Sequence, residues 1–307
     1  SLTTTYGCAK PGQIMQGSSA LTGNLHIIDI GIPPEVIAKA KIATSMLTAL
    51  TASQWLERLE RKSDSHKGSY GHLLILAGSA GKTGAAILAA KGALRSGCGL
   101  VSLCVPYDLN VIFESVLTEA MTIPLPTSSS LLNVSDLAII MKHSEDKTAV
   151  VLGPGIGTDP RTSDLVLYLY HNLKNPVIVD ADALNILAKN QNLLKTPAGP
   201  RIFTPHPGEL SRLINTPIEE ILENRLATAR LCHSMYGSKK QELVIILKGA
   251  GTVIVSDGDQ VMINTSGNPG MATGGMGDVL TGAIGAMICQ GLDPVEASGA
   301  AVYLHGM

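Results

Sequence analysis

Short apolar strands alternate with longer helical stretches along most of this chain, and this alternation constrains the fold more than any other feature. From Gly71 onward, runs of β-branched residues and leucine recur with helical segments between them, a pattern typical of a parallel sheet covered by helices. A turn signal at 256–259 separates two later runs and predicts a hairpin that makes the sheet mixed at one side. The predicted fold class is α/β with a central, mostly parallel sheet. Strands are expected at 72–77, 100–105, 148–152, 177–179, 201–203, 243–247, 252–255 and 260–263.

The composition excludes several function classes. With 45% hydrophobic and 16% charged residues among 307, the chain can bury a large core. A net charge of -2 provides no basic field for nucleic acid or for an anionic membrane. The longest apolar stretch, near 279–289, is shorter than the roughly 20 residues that span a bilayer. The five cysteines lack CxxC spacing and suggest reduced thiols, so we expect a cytoplasmic protein without nucleic-acid or membrane partners.

The first part of the chain differs in pattern from the rest. Prolines and glycines interrupt two short apolar runs before residue 35, and a mostly helical segment follows. We therefore expect a small N-terminal extension at 1–40, a helical linker at 41–64 and the main domain at 65–307.

A glycine-rich string before an apolar helical run is the strongest local signal. Glycines at the start of a helix let backbone N–H groups converge on an anion, so 268–278 predicts a phosphate cradle. Asp278 falls in the first turn, where a carboxylate can accept a proton from a substrate hydroxyl. The alternative is that Asp278 only stabilises the helix dipole, a weaker explanation for the whole string.

Other polar and glycine residues follow predicted strands, at the edge where α/β folds collect ligands. Asp180 and Asp182 offer hard oxygen ligands for Mg²⁺, although Asp182 could instead cap the next helix. The 153–157 and 248–252 segments suit ligand loops or plain turns. Lys82 is treated as an ordinary residue, because Leu76 stands where a Walker A motif needs glycine.

Together these strings resemble the NAD(P)H-hydrate dehydratases of the ribokinase-like superfamily. TGGMGDVLTG at 273–282 is similar to the anion hole and catalytic aspartate of that superfamily. The other strings occur in the family's order and extend the resemblance from residue 65 to the end. They are HKGSYGHLLILAGS at 66–79, GAAILAAKGALRSGCGLV at 84–101, GPGIG at 153–157, VDADALN at 179–185, TPHPGEL at 204–210, LKGAGT at 247–252 and AVYLHG at 301–306.

The resemblance implies a role for particular residues of this chain. Asp278 would be the catalytic residue, and Asp180 and Glu209 would lie near Mg²⁺. The substrate would contact Ala85, Gly155, His206 and Asp278; the anion hole would be Gly274, Gly275, Met276 and Gly277; the nucleotide would contact Lys248, Gly249, Ala250, Gly251, Thr252 and Gly277.

The implied reaction is dehydration of hydrated NADH or NADPH by phosphoryl transfer from ADP or ATP, followed by loss of phosphate. No residue distinguishes the two donors. The alternatives are a ribokinase-like kinase of a thiazole or pyrimidine alcohol, and a nucleotide-binding module without catalysis. The family's tendency to form tetramers implies a homo-oligomer.

The N-terminal extension resembles something different. LTTTYGCAKPG at 2–12 and HIIDIGIPPEV at 26–36 are similar to the last part of an NAD(P)H-hydrate epimerase domain. The earlier catalytic segments of that domain are absent from the sequence, so no epimerase activity is expected. The family also continues past AVYLHG, so we expect a fragment with an incomplete C-terminus.

Overall fold

The computed structural model describes residues 1–15, 18–237, 242–257 and 260–307. Its strands are β1 (Leu2–Tyr6), β2 (Asn24–Ile28), β3 (Thr44–Leu47), β4 (His72–Leu76), β5 (Leu100–Pro106), β6 (Met121–Leu125), β7 (Ala149–Leu152), β8 (Val177–Val179), β9 (Arg201–Phe203), β10 (Leu243–Leu247), β11 (Val253–Val255) and β12 (Val261–Asn264). Its helices are α1 (Pro11–Ile14), α2 (Ser18–Thr22), α3 (Pro34–Lys39), α4 (Ala49–Glu57), α5 (Thr83–Arg95), α6 (Asn110–Val116), α7 (Leu137–Ser144), α8 (Pro160–Asn172), α9 (Asp182–Ala188), α10 (Pro207–Ile214), α11 (Ile218–Glu223), α12 (Arg225–Tyr236), α13 (Met276–Cys289) and α14 (Pro294–His305).

The main sheet contains ten strands in the order β3-β12-β11-β10-β9-β8-β7-β4-β5-β6. All its pairings are parallel except those of β11, which runs antiparallel to both β10 and β12. This arrangement confirms the predicted α/β class and the mixed side of the sheet. Gly258 and Asp259 of the predicted turn lie outside the described residues.

The central strands are buried on both faces because helices cover both sides of the sheet. In β4, Leu73 and Ile75 point to one apolar cluster, whereas Leu74 and Leu76 point to the other. Neighbouring strand residues alternate between faces, so a continuous apolar run such as 73–76 contributes to both clusters. In the part of the chain that the structure describes, no helix is long and apolar enough to cross a membrane.

Residues 41–64 are not helical throughout, so the secondary structure predicted for this segment is wrong at β3. β3 pairs in parallel with β12, with Thr44 opposite Val261, and Ala52 in α4 is buried. Four residues between helix-favouring stretches give too little alternation to identify a strand, and β12, the partner that stabilises it, lies far along the chain. β6 was also not expected. The proposed division at residue 65 therefore separates segments that share one sheet.

The N-terminal extension forms its own parallel pair, β1 with β2. Ile14 and Met15 are partly buried against the main apolar cluster. Ile27 and Ile28, by contrast, are 47% and 44% exposed, so they do not pack on the main sheet. The extension therefore contacts the rest of the chain at the end of α1, through Ile14 and the following Met15.

Parallel strands bring their following loops to one edge of the sheet. β10, β9, β8, β7 and β4 are consecutive neighbours, and each ends at this edge. α13 packs against α5, β7 and β4, which brings its N-terminus to the same edge. The predicted ligand loops therefore meet at one place.

Candidate active site

A glycine with left-handed backbone angles lies directly before α13 in the glycine-rich string. Gly275 is the N-cap with φ of 88°, and a Cβ there would lie 2.4 Å from Leu88 Cδ1. The positive φ favours glycine, and any side chain at this position would also require Leu88 to move. The sharp turn leaves the first N–H groups of α13 without a side-chain cap and places Asp278 in the first helical turn.

Gly277 lies against a buried charge network. A Cβ at this position would be 3.1 Å from Lys248 Nζ and 3.7 Å from Asp180 Oδ2. Lys248 follows β10 and Asp180 follows β8, so the sheet edge and the helix start converge here. The anion-hole glycine and the loop lysine, expected separately from two strings, are therefore neighbours.

Asp180 is the centre of this network and is only 1% exposed. Its Oδ1 accepts hydrogen bonds from Lys248 Nζ at 2.7 Å and from Thr204 Oγ1 at 2.7 Å, and its Oδ2 accepts one from Thr281 Oγ1 at 3.0 Å. Burial opposes ionisation, but the charge of Lys248 and these bonds outweigh it and lower the pKa of Asp180. The carboxylate therefore joins β8, β9, β10 and α13.

Asp278 is half-buried and has an unusual acidity. Burial is the main cause that raises its pKa to about 6, and the nearby Asp180 and Asp182 add to the effect while Lys248 opposes it. A base whose pKa lies close to the working pH combines an available lone pair with a useful proton affinity. The site can therefore perform general base chemistry at Asp278.

His206 and Glu209 form a reciprocal cap at the start of α10. His206 Nδ1 accepts from the backbone N–H of Gly208 at 3.0 Å, and Glu209 Oε2 accepts from the His206 N–H at 2.8 Å. Because Nδ1 is an acceptor, the neutral ring carries its proton on Nε2. Burial and the charges of Lys248 and Arg212 lower the pKa of His206, which favours this neutral form. His206 Nε2 also lies 3.4 Å from Glu209 Oε1, so the ring is oriented within the helix cap that it shares with Glu209.

Glu209 is almost fully buried beside the same lysine. Burial raises its pKa to about 7, although Lys248 Nζ lies 3.9 Å from Oε2 and opposes the shift. Burial likewise opposes the charge of Lys248, but Asp180 and Glu209 outweigh it and raise the pKa of the ammonium. The lysine thus stays positively charged in this network.

Asp180 and Glu209, the expected Mg²⁺ neighbours, both take part in hydrogen bonds within the protein. Asp180 Oδ1 accepts two of these bonds and Oδ2 accepts one, so coordination through Oδ2 would leave the bond to Lys248 in place. Glu209 Oε2 is held by its own helix cap. Within the described ranges, no cluster of three or more His, Cys, Asp or Glu side chains is placed to hold a metal ion.

The loops after β4 and β7 pack tightly together. A Cβ on Gly155 would lie 3.0 Å from Ala85 Cβ, and Ser79 Oγ donates to the Gly155 carbonyl at 2.8 Å. Asp182 Oδ2 accepts from the Gly157 N–H and from Lys82 Nζ, each at 2.9 Å. The structure therefore brings Ala85 and Gly155 together, as expected for one binding surface.

Several contacts at this edge were not expected from the sequence. Asp182 is the first residue of α9 and not its cap, and it holds the Gly157 loop. Thr204 and Thr281 support Asp180, and only the three-residue spacing from Asp278 to Thr281 could have indicated a shared helix face. Burial lowers the pKa of His305, and a hydrogen bond with the Met276 backbone partly offsets this effect. The bond links the AVYLHG string at 301–306 to the start of α13.

The nucleotide loop expected at 248–252 connects β10 and β11. The Lys248 N–H donates to the Pro205 carbonyl at 2.9 Å, and Thr252 Oγ1 donates to the Gly249 carbonyl at 2.8 Å. Gly249 and Ala250 are exposed, whereas the Lys248 side chain turns inward toward Asp180. The loop thus presents backbone outward and one cation inward.

Comparison with known proteins places this geometry in context. The family model described as NAD(P)H-hydrate dehydratase matches residues 73–307. The bifunctional NAD(P)H-hydrate repair enzyme Nnr of Moorella thermoacetica is 42% identical over 305 residues, covering 99% of this chain and 56% of that protein. The chain therefore spans little more than half the length of this relative, and the match includes the N-terminal extension.

Solved structures show the same fold. An ADP/ATP-dependent NAD(P)H-hydrate dehydratase from Bacillus subtilis, co-crystallised with ATP/Mg²⁺, aligns with a TM-score of 0.64 and 34% identity over 80% of this chain and 82% of that one. A ribokinase-like superfamily protein from Enterococcus faecalis V583 aligns with a TM-score of 0.68 and 28% identity, covering 81% of this chain and 84% of its own. The ribokinase-like architecture expected from the resemblance is confirmed.

Proposed function

Because this chain belongs to the NAD(P)H-hydrate dehydratase family, we propose that it restores NADH or NADPH from their hydrated forms, with ADP or ATP as phosphoryl donor. The substrate is the dinucleotide whose nicotinamide ring carries a hydroxyl at C6 in the S configuration. One observation carries the proposal: Asp278, with its pKa raised to about 6, lies in the first turn of a helix whose start faces Lys248.

In the first step, Asp278 accepts the proton of the substrate hydroxyl. The hydroxyl oxygen attacks the terminal phosphorus of the nucleotide, and the phosphoanhydride bond breaks as the shortened nucleotide leaves with the bonding electrons. The N–H groups of 274–277 and the Lys248 ammonium stabilise the charge on the transferred phosphoryl group. Phosphoryl transfer thus converts a poor leaving group into a good one.

In the second step, the C–O bond breaks and phosphate leaves with its electron pair. The lone pair of the ring nitrogen stabilises the resulting cation, and loss of a proton from the adjacent ring carbon to solvent completes the double bond. The hydroxyl oxygen departs within phosphate, and the dihydronicotinamide is restored. The chemistry requires the kinase-like site and no redox partner.

Substrate and nucleotide would approach the edge from two sides. Ala85 and Gly155 support the hydrated ring at one side, where His206 also contacts the substrate. Lys248, Gly249, Ala250, Gly251, Thr252 and Gly277 contact the nucleotide at the other. Asp278 lies between the two groups in this proposal.

Magnesium is proposed to enter with the nucleotide phosphates and not to occupy a preformed protein site. Mg²⁺ commonly keeps several waters and few protein carboxylates. Asp180 and Glu209 would lie near the ion, as the family resemblance implies, while keeping their hydrogen bonds within the protein. We also propose a homo-oligomer, with a tetramer as the favoured state, that acts in the cytoplasm with its five cysteines free.

The proposal is tested by mixing the purified chain with hydrated NADH, Mg²⁺ and either nucleotide. Dihydronicotinamide absorbance should return, with one phosphate released for each molecule restored. Accumulation of a stable phosphorylated product without absorbance would indicate a small-molecule kinase instead. Nucleotide binding without turnover would indicate a non-catalytic module, and a reaction without nucleotide serves as the control.

A further inference from the structure

We propose that Arg225 is a positioning residue that shapes the 248–252 loop and thereby orients the groups this loop presents to the nucleotide. The inference rests on the nucleotide role proposed for that loop. Arg225 belongs to none of the strings that carry the family resemblance, and it lies on the first residue of α12, a helix otherwise assigned no functional role.

The Arg225 side chain is buried beneath the end of β10. The residue is 2% exposed, and its Nη2 donates to the Leu247 carbonyl at 3.1 Å and to the Lys248 carbonyl at 3.2 Å. Burial lowers its pKa, yet a guanidinium remains protonated at physiological pH. Burying a cation costs free energy, so we expect the hydrogen bonds of Arg225 to the loop to offset this cost.

These contacts fix the directions of peptide N–H groups in the 248–252 loop. In a planar trans peptide the carbonyl of one residue and the N–H of the next point in opposite directions. The bond from Arg225 to the Lys248 carbonyl therefore aims the Gly249 N–H away from Arg225. Thr252 Oγ1 does the same for the next peptide by holding the Gly249 carbonyl at 2.8 Å. The Gly249 N–H is thus directed away from Arg225, and the Ala250 N–H is directed away from Thr252.

The fit between Arg225 and the loop is close. A Cβ on Gly249 would lie 2.9 Å from Arg225 Nη1 and 3.0 Å from Nη2, and Gly249 has φ of 143°. The guanidinium thus lies directly against the loop backbone, and a side chain at 249 would have to displace it. Arg225 and Gly249 form one packing unit.

The same contacts fix the starting point of the Lys248 side chain. The Lys248 backbone is held through its N–H by the Pro205 carbonyl at 2.9 Å and through its own carbonyl by Arg225. From there Nζ reaches Asp180 Oδ1 at 2.7 Å. Loss of Arg225 should therefore disturb both the loop N–H groups and the lysine, and weaken nucleotide binding more than it slows the chemical step.

The test compares Arg225→Met and Arg225→Lys with Arg230→Met, a control on the same helix whose guanidinium donates to Thr44 Oγ1 at 3.0 Å. Calorimetry measures ADP affinity, hydrogen exchange measures protection of 248–252, and hydrate turnover separates kcat from the KM of each substrate. Arg225→Met should bind ADP about 10- to 100-fold more weakly, as expected for charged hydrogen bonds. It should also exchange 248–252 faster and leave the KM for the hydrate nearly unchanged.

Arg225→Lys keeps the charge with fewer donors and should fall between the parent and Arg225→Met. It also provides the folded comparison if a melting curve shows that Arg225→Met does not fold. Parent-like ADP affinity and exchange in a folded Arg225 variant, or equal effects in Arg230→Met, would overturn the proposal. Faster exchange with unchanged ADP affinity would overturn the nucleotide role of the loop, whereas absence of hydrate turnover in the parent protein would refute the proposed function itself.

Discussion

The acidity of Asp278 predicts a specific pH dependence. Only the ionised carboxylate can accept the substrate proton, and its pKa is raised to about 6 from the ordinary 3.8. The rate constant kcat/KM should therefore fall as the pH decreases through 6, with about one-tenth of the activity left at pH 5. An aspartate of ordinary acidity would remain almost fully active at that pH.

A substitution can separate the effect of a neighbouring charge on the pKa of Asp278 from the effect of burial. Asp182 contributes to the raised pKa of Asp278, whereas burial makes the largest contribution. Asp182→Asn removes that negative charge while an amide oxygen can still accept from the Gly157 N–H. The acid limb of the profile should consequently move to lower pH in Asp182→Asn.

The assay is recovery of dihydronicotinamide absorbance from hydrated NADH between pH 5 and pH 8. Nucleotide phosphates also take up a proton in this range, so ADP affinity is measured by calorimetry at each pH and kinetics are run at saturating nucleotide. A profile that stays level down to pH 5 would refute the raised pKa of Asp278. An acid limb that does not move in Asp182→Asn would show that the neighbouring charge does not set it.

Four further predictions follow from the same site. Asp278→Asn should lower kcat by about 10²–10⁴-fold while ADP still binds, and turnover within a few-fold of the parent would contradict a base role. Gly277→Ala places a methyl 3.1 Å from Lys248 Nζ, so it should raise the KM for nucleotide without lowering the melting temperature; unfolding instead would assign the glycine to the fold. Burial raises the pKa of Glu209 from 4.5 to about 7, so the parent loses stability as the pH rises between these values. Urea unfolding should therefore show Glu209→Gln gaining up to about 3 kcal/mol over the parent between pH 4 and pH 8, and an equal difference at both would exclude this cause. Deletion of 1–34 should leave kcat within about twofold but lower the melting temperature, because it removes the apolar contacts of Ile14 and Met15; a large loss of turnover in a folded variant would show that the extension reaches the site.

The family resemblance rests on short strings of residues that are adjacent in the chain. A glycine-rich stretch before an apolar helix defines an anion-binding turn by itself, because backbone freedom and helix start are encoded in adjacent residues. The family match over 73–307 confirms that resemblance. The individual roles of Ala85, Gly155 and His206 remain predictions, although the packing of Ala85 against Gly155 supports a shared surface.

Edge strands were harder to predict than central ones. β10 is apolar throughout and β4 is apolar after His72 because both of their faces are covered, and such runs are visible in the sequence. β3 and β6 are partly exposed, and a short half-exposed strand has no clear apolar period. Their pairing, and not their own composition, determines that they are strands.

The sequence alone thus indicated the central strands of the main sheet, the glycine-rich turn and the place of Asp278 after it, since each depends on residues adjacent in the chain. Only the tertiary structure decided the chemistry of that turn. Asp180 pairs with Lys248, which is 68 residues away, and this bond holds a buried ammonium at the site. The raised pKa values of Asp278 and Glu209 arise from burial and from charged residues that lie far away in the sequence. Solvent exclusion and distances between charges are properties of the folded chain, because they do not exist until distant segments have packed together.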